Sequence, residues 1–163
     1  MRKEIKNEAK IKLYAKDILS GLKEIHSKGV IHADIKPANL LLLRPNPEDK
    51  AKGEKAHVKI CDFGISLVLT PELFEGKKCA FMKVRSGSGG YIAPEVKGEN
   101  IVVTTSIDMW AFGIVLYEMC VAYEPIQVRG YQYGSGPLPF RPRDWRRFKE
   151  HGNQLQDLIS KCL

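Results

Sequence analysis

Three clusters in this chain have residue types and spacings suited to chemistry on phosphates. The first, His32-Ala33-Asp34-Ile35-Lys36-Pro37-Ala38-Asn39, offers a carboxylate, an ammonium two residues on and a carboxamide five residues on, in a loop tightened by Pro37. The second, Asp62-Phe63-Gly64, puts a carboxylate directly after an apolar run, with a glycine to release the backbone. The third, Ala93-Pro94-Glu95, follows the glycine-rich run Gly87-Ser88-Gly89-Gly90-Tyr91. Magnesium with phosphate takes oxygen ligands, usually one or two carboxylates plus phosphate and water, and Asn39 with Asp62 can supply such a pair. Asp34, with no metal duty, can accept a proton from an incoming hydroxyl. Lys36 beside it can neutralise charge on a transferring phosphoryl group.

These residues need elements to hold them. From Ile11 to Ile25 the apolar side chains recur in steps of three and four, which predicts a helix ending in a left-handed cap at Gly29. Leu40–Leu43 and His57–Cys61 read as short strands, and Val30-Ile31-His32 as a shorter extended piece. Arg44 to Ala56, rich in charge and broken by Pro45, Pro47 and Gly53, reads as a long solvated loop. Prolines, glycines and serines from Asp62 to Glu99 predict an extended, irregular segment. Thr104-Thr105-Ser106 can cap a helix starting near Ile107 that is apolar nearly all round, the mark of a helix in the middle of a core. Tyr131 to Pro142 reads as loop. Asn153 to Leu163 places Leu155, Leu158, Ile159, Cys162 and Leu163 at i, i+3, i+4, i+7 and i+8, which predicts a last helix.

Composition narrows the class. The chain has 163 residues, suited to one domain, with 44% hydrophobic and 28% charged residues. That mixture excludes wholesale disorder. The apolar run Ala111 to Tyr123 contains Glu118 and falls short of the about 20 residues a bilayer crossing needs. Met1 to Lys6 has no apolar signal core, so the expected location is cytoplasmic or nuclear, without a membrane partner. The four cysteines Cys61, Cys79, Cys120 and Cys162 form no CxxC pair and read as free, mostly buried thiols. The net charge of +7 comes from 26 Lys and Arg against 19 Asp and Glu, interspersed over most of the chain. The densest basic run, Arg141 to Lys149, reads as a solvated helix face, and no nucleic-acid partner is expected.

The order HxDxKPxN, DFG, APE, then DxWxxG on a buried helix resembles the C-terminal lobe of a eukaryotic protein kinase. Lys36-Pro37 and Ser88 resemble the serine/threonine-specific branch, Ser88 standing where that branch usually has threonine. The resemblance implies a mainly α fold with short β-hairpins, the helical lobe of the α+β two-lobed kinase fold. It implies one domain over 1–163, with a catalytic loop at 32–39, an activation segment at 62–95, a buried central helix at about 106–122 and a last helix at about 153–163. It also implies ATP and Mg2+ as cofactors and a protein substrate with serine or threonine. Asp34 would be the catalytic base and Lys36 would contact the transferring phosphate. Asn39 and Asp62 would hold magnesium, and Leu41 would floor the adenine. His32 and Phe63 would stack in an apolar column, and Asp108 would brace the catalytic loop.

Three departures from the family pattern carry expectations of their own. Ala33 replaces the usual HRD arginine, which puts control by activation-segment phosphorylation in doubt. No glycine loop or VAIK-type lysine precedes the first helix, so the N-terminal lobe is expected to be absent, the chain inactive alone, and Leu41 and Phe63 exposed to water. Glu95 is expected to be a buried carboxylate lacking its arginine, at a cost of about 3–5 kcal/mol. The alternatives are a non-catalytic scaffold that keeps the lobe for protein contacts, and a basic nucleic-acid-binding domain resting only on net charge and the run Arg141 to Lys149.

Overall fold

Helix α1 (Glu8–Ser27) begins where Asn7 turns its side chain back to accept the Lys10 N–H at 3.1 Å, an N-cap that satisfies one of the helix's orphan donors. A computed structural model describes residues 7–69, 73–74, 77–84, 87–96, 99–122, 125, 132, 138–146, 148 and 152–163. The buried stripe of α1 is Ile11, Tyr14, Ala15, Ile18 and Leu22, the three-and-four spacing read from the sequence. Beyond it Gly29 takes φ 73°, as a left-handed stop.

Among the described residues, four small antiparallel pairs follow. Strand β1 (Val30–Ile31) pairs with β4 (Leu67–Val68). Strand β2 (Leu40–Leu43) pairs with β3 (His57–Ile60), Leu40 opposite Ile60 and Leu43 opposite His57. Between β2 and β3 the expected loop holds a short helix, α2 (Pro47–Ala51). Asn-Pro-Glu-Asp is a helix start that charge and proline content obscured: Asn46 accepts the Asp49 N–H at 2.8 Å, Pro47 opens the first turn, and Glu48 and Asp49 face the positive helix end.

The stretch from Asp62 to Glu99 is also more ordered than expected. Strand β5 (Leu73–Phe74) pairs with β6 (Lys77–Lys78), and β7 (Ala80–Val84) pairs with β8 (Glu99–Val103), Ala80 opposite Val103 and Val84 opposite Glu99. In β7, Ala80 and Met82 are buried and Phe81 is exposed, the period-two alternation of a half-buried strand. Against β-branched partners in Ile101 and Val103, that alternation outweighs the glycines and prolines on either side.

Helix α3 (Ser106–Val121) is buried nearly all round because it stands between two cores. On one side Phe112, Val115, Leu116 and Tyr117 meet the α1 stripe, together with α4 (Pro142–Trp145) and α5 (Gly152–Cys162). On the other side Ile107, Trp110 and Ile114 meet Ala80, Met82, Ile101 and Val103 from β7 and β8. Each fully buried Ile, Leu or Phe in these layers contributes roughly 1.5–3 kcal/mol. The start of α3 lies one residue earlier than expected, and Thr105 makes no side-chain cap; the Ser106 N–H donates to Thr104 Oγ1 at 3.3 Å instead.

The basic run is not simply a solvated face. Trp145 and Phe148 are buried, their rings 5.3 Å apart, and Tyr117 and Phe140 complete the aromatic cluster. Residues 147 and 149, and most of 131–137, lie outside the described residues. Cys162 and Leu163, at the end of α5, pack together on Gly113 of α3, while Leu158 is exposed. None of the four cysteines is in a disulfide: Cys79 and Cys120 are buried, Cys61 and Cys162 partly so. Burial, with the Glu8 carboxylate nearby, pushes the Cys120 thiol up to about 12. Among the described residues no helix is long and apolar enough to cross a membrane.

Helices α3 and α5 touch at Gly113, where an added Cβ would stand 2.7 Å from Cys162 Cβ and 3.0 Å from Leu163 Cδ2. Gly113→Ala gains about 1 kcal/mol in helix propensity but overpacks the contact at about 1–3 kcal/mol. A lower thermal midpoint is the expected outcome. A raised midpoint would mean that α5 does not pack this closely.

Candidate active site

The central acid of the site is Asp108, in the first turn of α3 and fully buried. Its Oδ2 accepts the His32 N–H at 2.8 Å and the His26 Nε2–H at 2.8 Å, and its Oδ1 accepts the Ala33 N–H at 2.8 Å. One carboxylate therefore ties the end of α1 and the start of the 32–39 loop to the core helix. That grip holds Ala33 at φ 65°, a left-handed conformation that costs a non-glycine residue roughly 1–2 kcal/mol. His32 is also fully buried. Its Nε2–H donates to the Cys61 carbonyl at 3.0 Å and its Nδ1 accepts the Asp34 N–H at 3.2 Å, which sets the tautomer. The ring lies 4.9 Å from that of Phe63.

The loop so held presents Asp34. Its Oδ2 accepts from Lys36 Nζ at 2.6 Å and Asn39 Nδ2 at 3.0 Å. Its Oδ1 accepts from the Ser88 N–H at 3.1 Å and the Ser88 hydroxyl at 2.9 Å. Lys36 Nζ also donates to Ser88 Oγ at 2.7 Å, closing a triangle of three side chains. Gly87 makes the approach of Ser88 possible. It takes φ 112°, and a Cβ there would stand 3.2 Å from the Ala33 carbonyl oxygen. A void of about 20 Å³ borders Asp34, Ser88 and Tyr91, room for about one water.

Asn39 ends a single 3-10 turn, Pro37–Asn39, that delivers it to the start of β2. Its Nδ2 is spent on Asp34, which leaves Oδ1 without a hydrogen bond among the described residues. Asn39 O accepts the Cys61 N–H at 3.0 Å, so Asp62 leaves the end of β3 beside it. Asp62 is exposed, at φ 66°, and its Oδ1 accepts the Gly64 N–H at 3.3 Å. No three His, Cys, Asp or Glu side chains gather into a metal-binding group among the described residues. An amide oxygen with one carboxylate suits magnesium, whose remaining positions go to phosphate and water.

Leu41 and Phe63 are 50% and 47% exposed, the open apolar surface expected of them. Glu95 departs from expectation: it is exposed rather than buried, and its Oε1 accepts the Ser106 hydroxyl at 3.3 Å. Water solvates it, so the expected burial penalty does not arise. Two contacts were hidden from sequence reasoning. His26 lies off the apolar stripe of α1, yet it bonds to Asp108. Glu118 seemed only an interruption in an apolar run, yet it is buried and accepts the Tyr91 hydroxyl at 2.6 Å. A polar residue inside so apolar a helix was the available signal, because a buried acid requires donors.

Burial alone pushes the Asp34 carboxyl up, but the bonds from Lys36, Ser88 and Asn39, with the Lys36 charge, outweigh it and hold the group below the usual carboxylate range. Its contribution to stability is therefore fully present above the unfolded value and is lost as pH falls through the folded one. Urea unfolding across a pH series is expected to show a stability difference between the chain and Asp34→Asn that is constant above about pH 4 and shrinks below it. A difference independent of pH in acid would contradict the hydrogen-bond set. Asp108→Ala, which orphans the His32 and Ala33 amides, is expected to cost about 3–5 kcal/mol in the same measurement; a loss under 1 kcal/mol would mean that the brace is not formed.

The sequence matches the protein kinase domain family over residues 1–163. It is 32% identical over 127 residues to human 3-phosphoinositide-dependent protein kinase 1, covering 78% of this chain and 20% of that protein. Serine/threonine-protein kinase ppk21 of Schizosaccharomyces pombe is 35% identical over 128 residues, with 78% and 20% covered. The probable serine/threonine-protein kinase fhkE of Dictyostelium discoideum is 30% identical over 164 residues, covering 96% of this chain and 21% of that protein. The chain thus spans about a fifth of the length of these curated relatives. The chain belongs to the protein kinase family.

Proposed function

We propose that these residues form the C-terminal, helical part of a serine/threonine protein kinase, which transfers the γ-phosphoryl group of ATP to a protein hydroxyl. The observation that carries the proposal is the Asp34 carboxylate, with Lys36 and Ser88 at bonding distance on either side. A carboxylate filled by four donors is a weak base and a well-oriented acceptor, which suits a reaction that asks mainly for positioning and charge balance. Asp34 aligns the incoming hydroxyl. As its oxygen bonds to the γ-phosphorus, the bond to the β–γ bridging oxygen breaks, and the hydroxyl proton ends on Asp34. Lys36 faces the transferring group and offsets its negative charge. Ser88 ties the activation segment to both, so the acceptor hydroxyl is presented only when that segment is seated.

Asn39 Oδ1 and Asp62 would hold the magnesium, which supplies neutralisation of phosphate charge. Leu41 offers an apolar floor for the adenine. The glycine-rich run Gly87-Ser88-Gly89-Gly90 follows β7 but seats Ser88 on Asp34 and leads into no helix, and among the described residues no strand lysine pairs with a helix glutamate. A glycine loop and such a pair are the parts that cover and orient ATP in this family. Alone the chain is expected to show no measurable ATP-dependent phosphorylation. Joined to an N-terminal kinase lobe that supplies those parts, it is expected to phosphorylate serine or threonine. Asp34→Ala should then lower kcat by about 10²–10⁴-fold. Ser88→Ala should lower it too, with Ser88→Thr restoring it. Activity indifferent to Asp34→Ala would overturn the assignment and favour the scaffold reading.

A further inference from the structure

The loop between β2 and β3 takes no part in the site around Asp34, yet it is built rather than slack. Asn46 caps α2, the Glu54 N–H donates to the Asp49 carbonyl at 3.0 Å, and the Gly53 N–H to the Lys50 carbonyl at 3.0 Å. At its far end Asp17 of α1 takes the Val58 N–H at 2.9 Å and approaches His57 Nδ1 at 3.1 Å, which fastens β3 to the helix. Between this loop and the first turns of α1 lies a cavity of about 680 Å³, within the range of ligand sites. Its floor is apolar: Leu13, Leu42 and Ala56 line it and rest on the main core.

The rim carries four exposed cations, Lys10, Arg44, Lys50 and Lys55, against one acid, Glu54. Among the described residues none of the four cations forms an ion pair, whereas their neighbours Lys12 and Lys52 are paired with Glu8 and Asp49. Cations left unpaired around a preformed apolar floor set both the charge and the shape of a ligand.

We infer that this cavity docks an acidic, extended peptide segment of a partner protein, with an apolar side chain on Leu13, Leu42 and Ala56 and flanking carboxylates on the four cations. Both features are used only by a ligand that alternates apolar and acidic groups. A nucleic-acid backbone would take the rim and leave the apolar floor wet. The chain's own first residues, with Arg2, Lys3 and Lys6 against Glu4, have the sign of the cavity rather than its complement. The ordered walls reduce the cost of binding. Arg44 lies along β2 from Asn39, about 15 Å away at strand rise, so a partner held here leaves the Asp34 cluster open. The docking reading does not depend on the catalytic one.

Fluorescence anisotropy of the 163-residue chain with a labelled peptide alternating glutamate and leucine tests the assignment. Binding should weaken as salt rises and fall about tenfold or more in Lys50→Glu/Lys55→Glu. Those positions are exposed and outside the cores, so an unchanged melting curve will separate lost docking from lost folding. No binding, or equal binding by the double variant, would overturn the inference. Equal binding of an all-glutamate peptide or inorganic phosphate would reassign the cavity to small anions, and tighter binding of duplex DNA would reassign it to nucleic acid.

Discussion

A carboxylate placed in the first turn of an otherwise apolar helix, and sealed from water, has to be filled with donors, because an uncompensated buried charge costs several kcal/mol. Asp108 is such a group, and the donors it finds are the His32 and Ala33 amides and the His26 ring. The requirement of one side chain thereby becomes the position of a loop. His32, anchored at its backbone, reaches the Cys61 carbonyl with its ring, and that contact draws the strand ahead of Asp62 toward the same place. Asp34, Lys36 and Asn39 all follow from this anchor. The two left-handed residues of the site, Ala33 and Asp62, flank it. Strain of that kind persists where the surroundings over-determine the backbone, and here hydrogen bonds on both sides do so.

Helix α3 carries the brace because, among the described residues, it is the element with buried side chains in both cores. Its α1-facing side fixes the helix, and its opposite side packs under β7 and β8. The segment between the Asp62 and Glu95 motifs is thus tied at several points: by the β7–β8 ladder, by Tyr91 on Glu118, and by Ser88 on Asp34 and Lys36. Ala33, where the family pattern has arginine, packs against this second core. Its surroundings are apolar, and the order of the segment among the described residues comes from strand pairing and packing rather than from a charge at that position.

Periodicity made the large elements legible. The stripe of α1, the all-round apolarity of α3 and the leucine run of β2 each repeat at a spacing that one kind of element satisfies. The site residues were legible for a different reason: short motifs hold polar atoms at fixed chain offsets, and a tight loop turns those offsets into hydrogen bonds, as from Lys36 and Asn39 to Asp34. Local charge was a poor guide. It hid α2 behind lysines and acids, and it suggested a solvated face where Trp145 and Phe148 anchor the chain in the core.

What the amino-acid order determined by itself was the set of reactive groups, the elements flanking them and the family to which they belong, because these rest on spacing within about a dozen residues. What only the tertiary structure decided was the pairing of groups far apart in the chain: His26 with Asp108, Ser88 with Asp34, Tyr91 with Glu118, and the exposure of Glu95. Those contacts depend on how α1 and the segment between Asp62 and Glu95 pack on α3. Packing distributes burial over the whole core at once, so no local pattern reveals which buried acid meets which donor.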